Sequence, residues 1–275
     1  MKRIRLWAVI AMLLAAGACK REAAAPEPGT PANPAPAVAA PQPVALKDVV
    51  ESDSRYIVGI SYPRGAADYP QPLAQALRRY ADAARGELLQ AIQGLGAQKP
   101  SAPYDMSLSF TEVTNTPQVL TVAADGSVYT GGAHGNPLMA RFVWLPQQQK
   151  LLTSRELLAD PAQWKTVSDY VREQLHVALS QRVDADDLTP AERDKVVKGA
   201  GRMIDEGTRP DAANFEQFEP VLDARGSIIA LRFVFPPYQV GPYADGVQTV
   251  DVPAQVLMPL LSREYLPLFS QQPQR

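Results

Sequence analysis

Tyr129-Thr-Gly-Gly-Ala-His-Gly-Asn136 lies between two apolar runs near the middle of a 275-residue chain and places Gly131, Gly132 and Gly135 within five positions. Residues with a Cβ avoid positive φ and close backbone approach, so glycines at this density mark a tight turn. The flanks read as strands. Before the turn, Met106, Leu108 and Phe110 alternate with Ser107, Ser109 and Thr111, and residues 119–122 are rich in β-branched side chains. Asp125-Gly126 is a candidate turn or bulge, although the apolar run continues through Val128 and Tyr129. After the turn come an apolar run at 139–145, a polar turn at 146–150 and Leu151-Leu152. The pattern predicts a β-meander with the glycine turn at one end.

Working outward towards the N-terminus, Leu73, Leu77, Tyr80, Ala84, Leu88 and Ile92 recur at steps of three or four between Pro72 and Gly94. This predicts an amphipathic helix of about six turns. Its polar face, with Arg78, Arg79, Asp82, Arg85 and Glu87, reads as solvated surface. Upstream of it, Tyr56, Val58, Ile60 and Tyr62 alternate as a strand that Pro63 ends.

Towards the C-terminus, Thr153-Ser-Arg-Glu156 and Thr189-Pro-Ala-Glu192 are capping boxes, each opening a helix. Between them, Asp160-Pro161 starts a longer helix with Trp164, Val167, Val171, Leu175 and Ala178 on one face; the last helix carries Val196, Met203 and Ile204 and stops near Gly207. Val221-Leu222 and the run Ile229, Leu231, Phe233, Phe235 flank Asp223-Ala-Arg-Gly226 as a hairpin. A strand at 250–252 and a short closing helix at 256–261 complete the pattern. The expected fold is α+β, in two lobes, each with helices packed on a mostly antiparallel sheet.

The first 18 residues read as an export signal, with Lys2, Arg3 and Arg5 before an apolar core too short to span a bilayer. Ala16-Gly17-Ala18-Cys19 then looks like a bacterial lipoprotein processing site, which implies lipidation of Cys19, the only cysteine. Lys20 in place of an aspartate points to the outer membrane. With no disulfide available, stability must come from an ordinary core. Prolines 26, 28, 31, 34, 36, 41 and 43 in an alanine-rich stretch make residues 19–46 a disordered tether. Losing Lys2, Arg3 and Arg5 leaves 24 of the 27 basic residues against 29 acidic ones. That mildly acidic balance excludes nucleic acid as the expected partner.

No His-x-x-x-His, Cys cluster or Gly-x-Ser-x-Gly appears, so no cofactor, metal site or catalytic residue is expected. His134 is one of two histidines; in a glycine turn it serves the backbone or a binding surface. His176, beside the apolar stripe of its helix, reads as structural or surface. Asp184-Ala-Asp-Asp187 lacks the spacing of a calcium loop. Tyr238 and Tyr243, near Gly241 and Gly246, form either a rigid crossover or a stacking surface for a sugar. The candidate binding residues are therefore Tyr129, Gly131, Gly132, His134, Tyr238 and Tyr243. A wall-polymer hydrolase or deacetylase would instead use His134 with an acidic partner such as Asp245. A purely structural spacer predicts that no cleft joins the glycine turn to residues 238–246.

Three ordered motifs carry a family resemblance: Tyr129-Thr-Gly-Gly-Ala-His134-Gly, Leu152-Thr-Ser-Arg-Glu-Leu-Leu158 and Pro237-Tyr-Gln-Val-Gly-Pro-Tyr-Ala-Asp-Gly246. Together they resemble the paired extracytoplasmic domains of RsiV-type anti-sigma factors and PdaC-type peptidoglycan deacetylases. The resemblance implies a PdaC-like α+β domain at 47–145 and an RsiV-like α+β domain at 146–275. It also implies a periplasmic, envelope-bound module, with a peptidoglycan fragment or a lysozyme-like protein as partner. With no sigma-binding segment read before the signal and no deacetylase metal motif read in the sequence, only the binding or sensing half is expected to carry over.

Overall fold

Alternation at Tyr56 and Met106 and the helical period between them build one layered unit. The computed structural model describes residues 43–269. The signal at 1–18, Cys19 and the tether as far as residue 42 lie outside the described residues. Six strands form the first sheet in sequential order: β1 (Val49–Ser52), β2 (Tyr56–Ser61), β3 (Tyr104–Asn115), β4 (Leu120–Tyr129), β5 (Asn136–Leu145) and β6 (Lys150–Leu152). All neighbours are antiparallel except β2 and β3, which run parallel because α1 (Gln71–Gly94) makes the crossover between them.

One face of this sheet packs on α1. Val58, Ile60, Met106, Leu108, Phe110, Val122 and Trp144 meet Leu73, Leu77, Ala81, Ala84 and Leu88 in a single core. Leu73, Leu77 and Leu88 are wholly buried, each contributing about 1.5–3 kcal/mol of transfer free energy. The other face is shared. Val119, Val143, Leu145 and Leu152 belong to the second core, whereas Ile57 on β2 remains half exposed.

The second lobe holds α2 (Ser154–Leu157), α3 (Trp164–Ala185), α4 (Pro190–Gly207) and the antiparallel sheet β7 (Phe218–Leu222), β8 (Ile228–Phe235), β9 (Gln248–Pro253), followed by α5 (Ala254–Leu257). Both capping boxes are formed: the Thr153 and Thr189 side chains meet the N3 backbone while Glu156 and Glu192 reach back to the caps. Trp164 stacks on Phe215 at 4.9 Å, and Phe233 and Phe235 meet Phe215 edge-on. The fold is α+β, with two lobes.

Four details differ from the sequence reading. Asp125-Gly126 neither turns nor bulges; β4 runs through it in register with β3, and the shift lies instead between Glu112 and Thr114. A glycine is needed there because a Cβ at 126 would sit 2.0 Å from the Ser107 carbonyl oxygen. On α3 the buried stripe continues through Leu179 and Val183 rather than the exposed Ala178. On α4 only the C-terminal half is covered, at Ala200, Gly201, Ile204 and Gly207, and Val196 faces solvent. The closing helix starts two residues early and ends at Leu257, since Pro259 lacks the N–H that continuation requires.

The lobes are joined by polar groups as well as by the shared core. Gln217 accepts a hydrogen bond from the Arg141 backbone N–H at 2.7 Å. The Arg141 guanidinium, mostly buried, donates to Asp125 at 2.9 Å and lies 3.2 Å from Glu219, as an ion pair without hydrogen-bond geometry at Nε.

Candidate functional site

Two turns, far apart in sequence, meet at the seam of the lobes. The first is the glycine turn between β4 and β5. Gly131 and Gly132 take φ of 97° and 108°, a region that side chains strain to enter, and the Tyr129 hydroxyl donates to the Gly132 carbonyl at 3.2 Å. Tyr129, Gly131 and Gly132 thus shape the turn. His134 is exposed at its tip.

The second is the segment between β8 and β9. Tyr238 has φ of 74°, unusual for a residue with a Cβ, and its N–H donates to the Gly241 carbonyl at 2.9 Å. The surroundings hold it there. Val240 is buried, and the Gln239 side chain donates to the carbonyls of Gly207 at 3.0 Å and Asn214 at 2.8 Å. Gly207 admits this approach, because a Cβ there would stand 2.0 Å from the Gln239 carbonyl oxygen. Further along, Arg182 of α3 donates to Asp245 at 2.7 Å and fixes the short turn that carries Tyr243.

These constraints bring three rings together. The His134 ring stacks on Tyr243 with centroids 4.0 Å apart and planes 14° from parallel. Tyr238 closes the group at 5.9 Å from His134 and 5.7 Å from Tyr243. His134 Nδ1 lies 3.1 Å from the Gly135 carbonyl and Nε2 lies 2.7 Å from the Tyr238 hydroxyl. A carbonyl only accepts, so the consistent assignment puts the proton on Nδ1 and lets Nε2 accept from Tyr238 O–H. Tyr238 and Tyr243 remain 52% and 37% exposed, which leaves ring faces open to solvent.

Of the six residues named from the sequence, His134, Tyr238 and Tyr243 thus form one cluster, and Tyr129, Gly131 and Gly132 support it. Asp245 does not serve His134; its carboxylate pairs with Arg182. His176 pairs with Asp205 at 3.0 Å on the α3–α4 surface, and Asp184 pairs with Arg193. Sequence reasoning missed Arg182, Gly207 and Gln239, whose role comes only from contacts 25 or more residues away. Among the described residues no group of three His, Cys, Asp or Glu side chains could hold a metal ion, and no helix is long and apolar enough to cross a membrane.

Comparison with known proteins divides the chain at this seam. Residues 50–137 match the family described as deacetylase PdaC, and residues 157–255 match a family of proteins of unknown function, DUF3298. His134 falls in the first and Tyr238 and Tyr243 in the second. No curated protein matches the sequence. A crystal structure of a DUF3298 family member from Bacteroides fragilis is similar at 14% identity and a TM-score of 0.48, over 80% of this chain and 94% of its own. A DUF3298 family protein from Pseudomonas aeruginosa is similar at 14% identity and a TM-score of 0.47, over 84% and 99%.

Proposed function

We propose, for a chain that belongs to the PdaC/RsiV-type paired module, that it is a non-catalytic binding protein of the cell envelope whose His134, Tyr238 and Tyr243 rings receive a glycan. The observation that carries this reading is the convergence of the three rings from the two family regions into one half-exposed cluster. The apolar C–H face of a pyranose packs on such rings as other apolar groups do. The Tyr238 hydroxyl keeps a free lone pair for a sugar hydroxyl after donating to His134.

Peptidoglycan fragments are the proposed ligand, with a lipidated Cys19 and the proline-rich segment holding the module in the periplasm near the outer membrane. At about 3 Å per residue in extended polyproline form, such a segment reaches some tens of ångströms from its anchor. A lysozyme-like protein is the other partner that the family resemblance suggests.

The test is sedimentation of the full chain with isolated peptidoglycan and, separately, its capture by a c-type lysozyme. Co-sedimentation that a correctly folded His134→Ala/Tyr243→Ala double variant loses is the expected result. Absence of binding to peptidoglycan by the unmodified chain would overturn the glycan reading.

A further inference from the structure

Beside the aromatic cluster lies a cavity of about 200 Å³, with Tyr80, Pro137 and Met139 on the first-lobe side and Glu216, Pro236 and Gln239 on the second. Its lining adjoins the cluster along the chain. Pro137 follows His134 by three residues, Pro236 and Gln239 flank Tyr238, and the Gln239 bond to Asn214 ties this segment to the turn that presents Glu216. At this size the cavity is below the roughly 300–1,000 Å³ of sites that enclose a drug-sized ligand. One ring entering from solvent suits it better.

The cavity has a definite electrostatic sign. Among the described residues, Glu216 is exposed with no ion pair or hydrogen bond from its side chain, and no lysine or arginine lines the wall. The nearby cation, Arg141, is already engaged by Asp125 and Glu219. The Asn214 and Gln217 side chains are likewise committed, to the Arg209 carbonyl and the Arg141 N–H. Tyr80 adds a half-buried aromatic ring held edge-on to Phe110 and Phe142. A carboxylate without a partner beside an aromatic wall favours a ligand with a positive charge on a small ring.

We propose that this cavity is the neighbouring subsite of the aromatic cluster and takes an amine-bearing sugar, with Glu216 receiving its ammonium group. The proposal rests on the glycan reading above and adds that the module distinguishes free-amine from N-acetylated sugars. An acetamide at that position gives Glu216 one neutral N–H donor in place of a cation. The cluster stacks on either sugar alike.

Calorimetric titration of the full chain with the β-1,4-linked tetramers of glucosamine and of N-acetylglucosamine, at a pH that protonates the amine, tests this. The expected result is tighter binding of the amine form by about fivefold, the effect of one exposed ion pair, diminishing with added salt. Glu216→Gln should remove that preference by weakening the amine form, whereas Tyr238→Ala should weaken both. Equal binding of the two tetramers by the unmodified chain, or a preference that survives Glu216→Gln, overturns the subsite while leaving the aromatic cluster in place. Failure of both tetramers to bind overturns the glycan reading and the subsite with it.

Discussion

Tyr238 carries both the strain and the contact that define the site. A non-glycine residue in the left-handed region costs about 1–3 kcal/mol and persists only where its surroundings fix it; here they are buried Val240 and the two bonds from Gln239. Tyr238→Gly should therefore change the unfolding free energy little, by less than about 1 kcal/mol in denaturant melts, because relief of strain offsets the entropy of glycine. Binding should fall sharply in the same variant. A large stability loss would show that the ring holds the fold rather than a ligand. The sequence makes half of this legible: glycine density marks the turn at 131–135 and tyrosine with proline marks 237–243. The pairing of His134 with a residue 104 positions away is not legible, because no periodicity encodes which loop tips meet.

Helices and their connections were read more fully, since capping boxes and spacing are local physics. Thr189 and Glu192 give the clearest check. The Thr189 hydroxyl and N–H donate to the Glu192 carboxylate at 2.6 and 2.9 Å and hold its pKa below the ordinary 4.5. A folded pKa below the unfolded one means that the contribution is present above about pH 4.5 and lost as pH falls through the folded value. Glu192→Gln should flatten the acid limb of the stability profile in that range, measured by denaturant melts from pH 6 to 3. An unchanged limb would remove the capping box from the account. At the end of the same helix, Gly207→Ala places a Cβ against the Gln239 carbonyl and should cost about 2–3 kcal/mol, in the range of overpacking. It should also weaken the proposed glycan binding by displacing Tyr238. What spacing could not supply on these elements was which turns stay uncovered, as at Val196 and Ala178, because that depends on which distant segments pack against them.

At the scale of the molecule, two sheets share one seam, and the seam both holds the lobes and presents the candidate site. Alternation revealed the strands, but not that Val119, Val143 and Leu145 would enter the second core from the far face of the first sheet; an apolar residue does not name its partner. Arg141 stands where that far face becomes polar, between Asp125 and Glu219. Arg141→Met leaves Glu219 without this partner and should destabilise the protein by about 2–4 kcal/mol, near the cost of breaking a partly buried pair. Calorimetric unfolding checks this, and a change below about 0.5 kcal/mol, the scale of an ordinary surface substitution, would mean that the seam does not depend on the charge.

The most direct test of the central claim uses the two histidines. With only His134 and His176 in the chain, their imidazole proton resonances can be assigned by substitution and followed while a peptidoglycan-derived oligosaccharide is titrated in. His134 stacks in the aromatic cluster and His176 pairs with Asp205 on the α3–α4 surface. The account expects saturable shifts at His134 with none at His176. Saturable binding that leaves the His134 resonances unmoved would contradict it and place recognition on another surface.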